Sequence, residues 1–264
     1  MLKHLLAAVA FTALAATAHA QTPEQQAAVA RAAAVGLELY EHDQAAWHGT
    51  DAMQADIPNP DAEGFVGWIT ERTGEDITLL FVRRKGDELY AGYRATYRDG
   101  AVQGHGRVNI PLTDAQRRIY QARQLVITTA QVQTCAPSYN TVTLPRAQPG
   151  PDGADIDVYI MPAFEDMRHI PFGGHYRVAV DTGANLIRET ARFTTQCFTS
   201  EIQDHVVALG ISQIIGDTPT EIHVFLSLST RLPIVVVSRS GSWTVAGNRI
   251  SYLDSTSVHD AEEH

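Results

Sequence analysis

The chain is short of positive charge. Twenty Lys and Arg residues stand against thirty Asp and Glu, for a formal net charge of −10 over 264 residues. Nucleic-acid partners are met by basic surfaces and anionic lipid by polybasic segments, so neither partner is expected. Cysteine is scarce too: only Cys135 and Cys197 occur, with no C-x-x-C, which argues against a cysteine metal site or nucleophile. Long apolar runs are missing; none reaches the about twenty residues of a membrane helix. Phosphate-binding G-x-x-x-x-G-K and G-x-G-x-x-G are absent, and no helix opens immediately after Gly104-His105-Gly106. Ser238 to Ser242 lacks the first glycine of G-x-S-x-G. No nucleotide, haem or flavin cofactor is expected.

What is present begins with an address. Lys3 gives a basic start, Leu5 to Ala16 is apolar, and Ala18-His19-Ala20 fits an A-x-A cleavage site, so residues 1–20 read as a signal peptide and Gln21 as the mature start. With no cysteine near the cut, a lipid anchor is not expected. The predicted location is periplasmic or secreted, where an oxidising compartment favours a Cys135–Cys197 disulfide. Closing so long a loop stabilises a fold by roughly 4 kcal/mol on the chain-entropy account.

The predicted fold class is α+β: an N-terminal helix, an antiparallel meander and a second helix, followed by a mainly antiparallel β part. Pro23 to about Met53 reads as helix, with Val29, Ala33, Leu37 and Tyr40 facing the core. Gly36 weakens its middle, Gly49 ends its first long piece, and Trp47 is expected to be a packing anchor. Strands are expected over Val66 to Arg72, Ile77 to Arg84, Glu88 to Tyr97 and Ala101 to Asn109, with Arg98-Asp99-Gly100 as a hairpin signal. Thr113 caps a helix running to Thr129, with Ile119, Ala122, Leu125 and Val126 on its apolar face.

This gives a unit over 21–134, a second, mainly β unit over 135–256 and a frayed tail over 257–264. In the second unit His175 to Asp181 and His205 to Ile211 read as strands. So does Glu221 to Ser229, where alternation puts Ile222, Val224, Leu226 and Leu228 on one face and Glu221 and His223 on the other.

Asp217 to Phe225 and Phe172-Gly173-Gly174-His175-Tyr176-Arg177-Val178 resemble uncharacterised exported proteobacterial proteins. The resemblance implies export and carries no activity or site.

Two constellations could carry chemistry. His175 and Arg177 on one strand, with Glu221 and His223 on another, offer imidazole and carboxylate ligands for zinc or a similar divalent ion, and an open position could activate water in a metal-dependent hydrolase. A third fixed ligand is missing, since only His205 is available. The plainer reading is surface polar residues or a hydrogen-bonded core histidine.

Asp181-Thr182-Gly183-Ala184 resembles the signature of retropepsin-like aspartic proteases, with Ile214-Ile215-Gly216 as their downstream element. That resemblance implies Asp181 as the catalytic aspartate of a homodimer. The two elements stand closer than that family requires, Arg177 interrupts the apolar run before the aspartate, and Asp181 to Asn185 also reads as a hairpin turn. The leading expectation is a non-catalytic accessory or binding module that holds an exported protein or small ligand, using an exposed sheet edge or the groove between helices and sheet.

Overall fold

The computed structural model describes residues 21–133, 135–164, 166 and 168–253. Residues 1–20, expected to be a signal peptide, and the tail expected over 257–264 lie outside the described residues. The fold is α+β, and its elements follow the expected order: a long helix, a four-stranded antiparallel meander, a second helix, then small sheets with one short helix.

Helix α1 (Pro23–Asp56) starts at a capping box in which the Thr22 hydroxyl accepts the Gln25 N–H and the Gln25 side chain accepts the Thr22 N–H. Pro23 at the first turn lacks only an N–H that no helix would use. The helix runs through Gly49 without a break, which corrects the expected stop there. Its buried stripe is Ala32, Gly36, Leu39, His42, Ala45, Gly49 and Met53. That stripe is rotated from the expected one, because small residues are needed where other elements cross. A Cβ on Gly36 would stand 2.4 Å from Val224 Cβ, and one on Gly49 would stand 2.4 Å from Leu79 Cδ2. Trp47 is 57% exposed and stacks on His48, which stacks on Tyr97. It is a surface ring, and not the packing anchor expected from its place on the helix.

The meander comprises β1 (Phe65–Thr73), β2 (Asp76–Lys85), β3 (Glu88–Arg98) and β4 (Ala101–Pro111), paired in sequence order. Turns at Gly74, Gly86 and Gly100 use positive φ, which glycine adopts at least cost. One face packs on α1 through Leu79, Phe81, Tyr93 and Ala95. The other, through Ile69, Leu80, Val82 and Ala91, packs with α2 (Asp114–Thr129), whose capping box joins Thr113 to Gln116.

A second four-stranded antiparallel sheet holds β5 (Tyr139–Pro145), β6 (Ile156–Pro162), β8 (Tyr176–Asp181) and β9 (Leu186–Arg192). Short β7 (His169–Pro171) pairs with β10 (Thr199–Glu201). Neither was evident in the sequence; the loop closed by the Cys135–Cys197 disulfide contains β7, and β10 begins just after Cys197. The disulfide suits an oxidising, extracytoplasmic location. No described helix is long and apolar enough to cross a membrane.

The last sheet is β11 (Leu209–Ser212), β12 (Ile234–Ser238), β13 (Gly241–Ala246) and β14 (Arg249–Leu253). The expected strand from His205 is confined to β11, which runs parallel to β12. A parallel pair needs a crossover, and the crossover is helix α3 (Glu221–Thr230). The expected strand over Glu221 to Ser229 is therefore a helix. Alternation misleads there because the helix is buried almost all round: Ile222, His223, Val224, Phe225, Leu226 and Ser227 are all buried, so no helical stripe stands out. Helix α3 lies across α1 at Gly36 and closes a core with Leu39, Tyr159, Phe172 and Trp243.

Candidate functional site

A groove of about 430 Å³ opens between α1, the edge strand β1 and α2. Met53, Phe65, Val66, Trp68, Phe81 and Ile127 give it apolar walls, and Thr50, Gln54, Gln124 and Asp61 add polar groups. Its shape starts from an irregularity in β1: the register with β2 shifts between Phe65 and Gly67, and Gly67 adopts φ 145°. A Cβ there would come within 3.3 Å of Arg123 Nη1 and 3.4 Å of Gln124 Nε2 and Tyr120 Cε2. The bulge thus lets α2 sit close to the sheet edge, where the Tyr120 hydroxyl donates to the Val66 carbonyl at 3.3 Å.

Arg123 stands in this groove with only 8% of its surface exposed. Its Nε donates to Thr141 Oγ1 on β5 at 2.8 Å, and its guanidinium carbon lies 4.0 Å from the centre of the Trp68 ring. Among the described residues no carboxylate pairs with it, and its terminal amino groups make no hydrogen bond. Burial holds its guanidinium below the ordinary arginine range, with only the Tyr120 and Tyr139 phenols acting in the other direction. Asp61, on the groove wall, makes no ion pair with it.

Sequence reasoning did not single out Arg123. A signal was there: it stands four residues after Ile119 and three before Val126, on the buried stripe of α2.

The residues that sequence reasoning did single out are placed as follows. His175 is wholly buried, and neither ring nitrogen has a hydrogen-bond partner among the described residues. His223, 4% exposed, lies close enough for its charge to act on His175. Desolvation, reinforced by His223 and weakly opposed by the Phe172 backbone, pushes His175 down to about 3. Desolvation pushes His223 down to about 4, against a contribution from the Thr220 backbone. Its Nδ1 accepts the Thr220 N–H at 3.0 Å, satisfying the start of α3.

Glu221 turns elsewhere, its Oε1 accepting the Tyr159 hydroxyl at 3.0 Å. Arg177 pairs with Glu189 at 2.9 Å, and His205 lies exposed in a left-handed turn. The two histidines come together, while Glu221 and Arg177 are each held by other partners. Among the described residues no group of three His, Cys, Asp or Glu side chains is placed to hold a metal ion.

Asp181 closes the β8–β9 hairpin. Its Oδ1 accepts the Ala184 N–H at 2.9 Å and its Oδ2 pairs with Arg188 at 2.5 Å. Arg188 and the Ala184 backbone hold its carboxyl below the usual range. Asp155 grips the following Thr182 through its N–H at 2.9 Å and its hydroxyl at 2.6 Å. These are the surroundings of an ionised turn carboxylate, whereas an aspartic-protease pair needs one carboxyl kept protonated. Ile214 of the downstream element is 62% exposed.

No protein-family model matches the sequence, and no curated protein matches it significantly. Among solved structures, the C-terminal domain of YpeB from Bacillus megaterium is similar over 54% of this chain and 64% of that one, at 12% identity and a TM-score of 0.19. The chain thus spans less than two thirds of that domain, and likeness at this level fixes neither family nor function.

Proposed function

We propose that the chain is a non-catalytic binding module and that its site is the groove between α1, β1 and α2. The observation that carries this reading is Arg123, a nearly buried cation that pairs with no carboxylate among the described residues, in a groove with apolar walls and a few polar groups. Concave sites with apolar walls and a few converging polar groups are where small ligands bind. A binding role is further supported by what the candidate catalytic groups are doing: Asp181 holds a turn, His223 caps a helix and Glu221 bonds to Tyr159. The module works outside the cytoplasm in this reading, released by cleavage near Ala20 into the periplasm or beyond. The disulfide and the sequence of the first twenty residues support that placement.

The test is a fluorescence titration with the neutral apolar probe N-phenyl-1-naphthylamine. Saturable binding by the wild type, abolished by Ile127→Trp, is expected, because an indole at 127 fills the groove. Equal binding by both proteins, or none by the wild type, overturns the assignment of the site.

A further inference from the structure

Resting on the groove as the binding site, we infer that its ligand is a small organic monocarboxylate whose apolar body lies against Phe65, Trp68 and Ile127 and whose carboxylate meets Arg123.

The charge sets the class. Taking a guanidinium out of water is costly even after local relaxation. Against this stand only a cation–π contact with Trp68 and one hydrogen bond to a neutral threonine. Those contacts leave the ion undercompensated. What they leave free is also specific: Nε is taken by Thr141, while Nη1 and Nη2 make no hydrogen bond among the described residues and Nη1 lies beside Gly67 at the open groove. Two parallel N–H donors in a planar fork match the two oxygens of a carboxylate.

The surroundings restrict the anion further. A phosphate or sulfate dianion is normally met by several cations or by a helix N-terminus, and among the described residues lining the groove Arg123 is the one cation. A cationic ligand would meet Arg123 as a like charge. The walls are mainly aromatic and aliphatic, so the remainder of the ligand is apolar. The roughly 430 Å³ of space holds a compact molecule of that kind. Gln54 and Gln124, at the groove, offer amide groups to any polar substituent.

The experiment compares two probes that differ only in charge, 4-phenylbutyrate and 4-phenylbutanamide. Each is titrated into the ¹⁵N-labelled chain at neutral pH while the Trp68 indole and Gly67 amide resonances are followed. The expected result is that the carboxylate binds at least tenfold more tightly than the amide, and that Arg123→Met brings the two to parity. Equal affinities at the same resonances would overturn the carboxylate assignment and leave the groove standing as a neutral apolar site. Failure of both probes to move those resonances would also overturn it, and naphthylamine binding would then show separately whether the groove binds at all. The wild-type comparison decides the matter without the variant, should Arg123→Met not fold.

Discussion

Arg123 of α2 lies over the ring of Trp68 on β1, guanidinium carbon to ring centre 4.0 Å, and this stack joins the second helix to the open edge of the meander. The same pair is a floor for a ligand and a liability without one.

That liability is measurable. Arg123→Met keeps much of the side-chain volume, places a thioether on Trp68 and removes a buried charge that has no carboxylate partner. The ligand-free variant is expected to be more stable than the wild type by about 1–3 kcal/mol, seen as a higher urea midpoint at unchanged slope. Lower stability would mean that Thr141 and Trp68 already compensate the guanidinium.

The buried histidines and Asp43 make stability depend on pH in opposite directions. His175 and His223 stay neutral in the fold down to about 3 and about 4, whereas an unfolded histidine takes up its proton near 6.5. Between those limits the unfolded chain binds more protons, so this pair makes stability fall as pH drops from about 6.5 towards 4. Asp43 accepts a hydrogen bond from Asn140 at 2.9 Å, yet desolvation pushes its carboxyl up to about 6. Here the folded chain binds more protons, so this group makes stability fall as pH rises from about 4 to 6. Two groups oppose one, so the net trend is loss on acidification. Urea midpoints measured from pH 7 to 4 should fall, less steeply in His175→Leu and more steeply in Asp43→Asn. A flat profile in the wild type would refute the assignment of neutral buried imidazoles.

Gly36 and Gly49 should respond differently to the same substitution. An alanine normally strengthens a helix by about 1 kcal/mol over glycine. At Gly36 the new methyl group would meet the Glu221 carbonyl oxygen at 2.6 Å as well as Val224, and backbone cannot step aside. At Gly49 the nearest atom is the mobile end of Leu79. Gly36→Ala is expected to lose about 1–3 kcal/mol and Gly49→Ala markedly less, by thermal or urea unfolding. The reverse order would contradict the α1–α3 crossing.

The meander was legible in the sequence because turn chemistry marks it: Lys85-Gly86-Asp87 and Arg98-Asp99-Gly100 separate strand-length runs and take positive φ at Gly86, Asp99 and Gly100. Helix α3 was not, because alternation at Ile222, Val224 and Leu226 coincides with burial on all sides. Its start was masked further, since His223 stands where a capping box normally carries Glu or Gln. The turn at Asp181 could be read locally, as its partners Ala184 and Arg188 are close in sequence. The groove could not, because Arg123 is defined by Trp68 and Thr141 from two other elements, and nothing local announces that neither is a carboxylate.

The crossing of α1 by α3 bears on the order in which contacts form during folding. The small-residue face of α1 meets, at Gly36, a helix that lies far along the chain at Glu221–Thr230. Contacts between such distant segments form late, after long loops have closed. Until α3 has formed, α1 therefore has no docking partner at Gly36, although its Gly49 end can already pack on Leu79 of the meander.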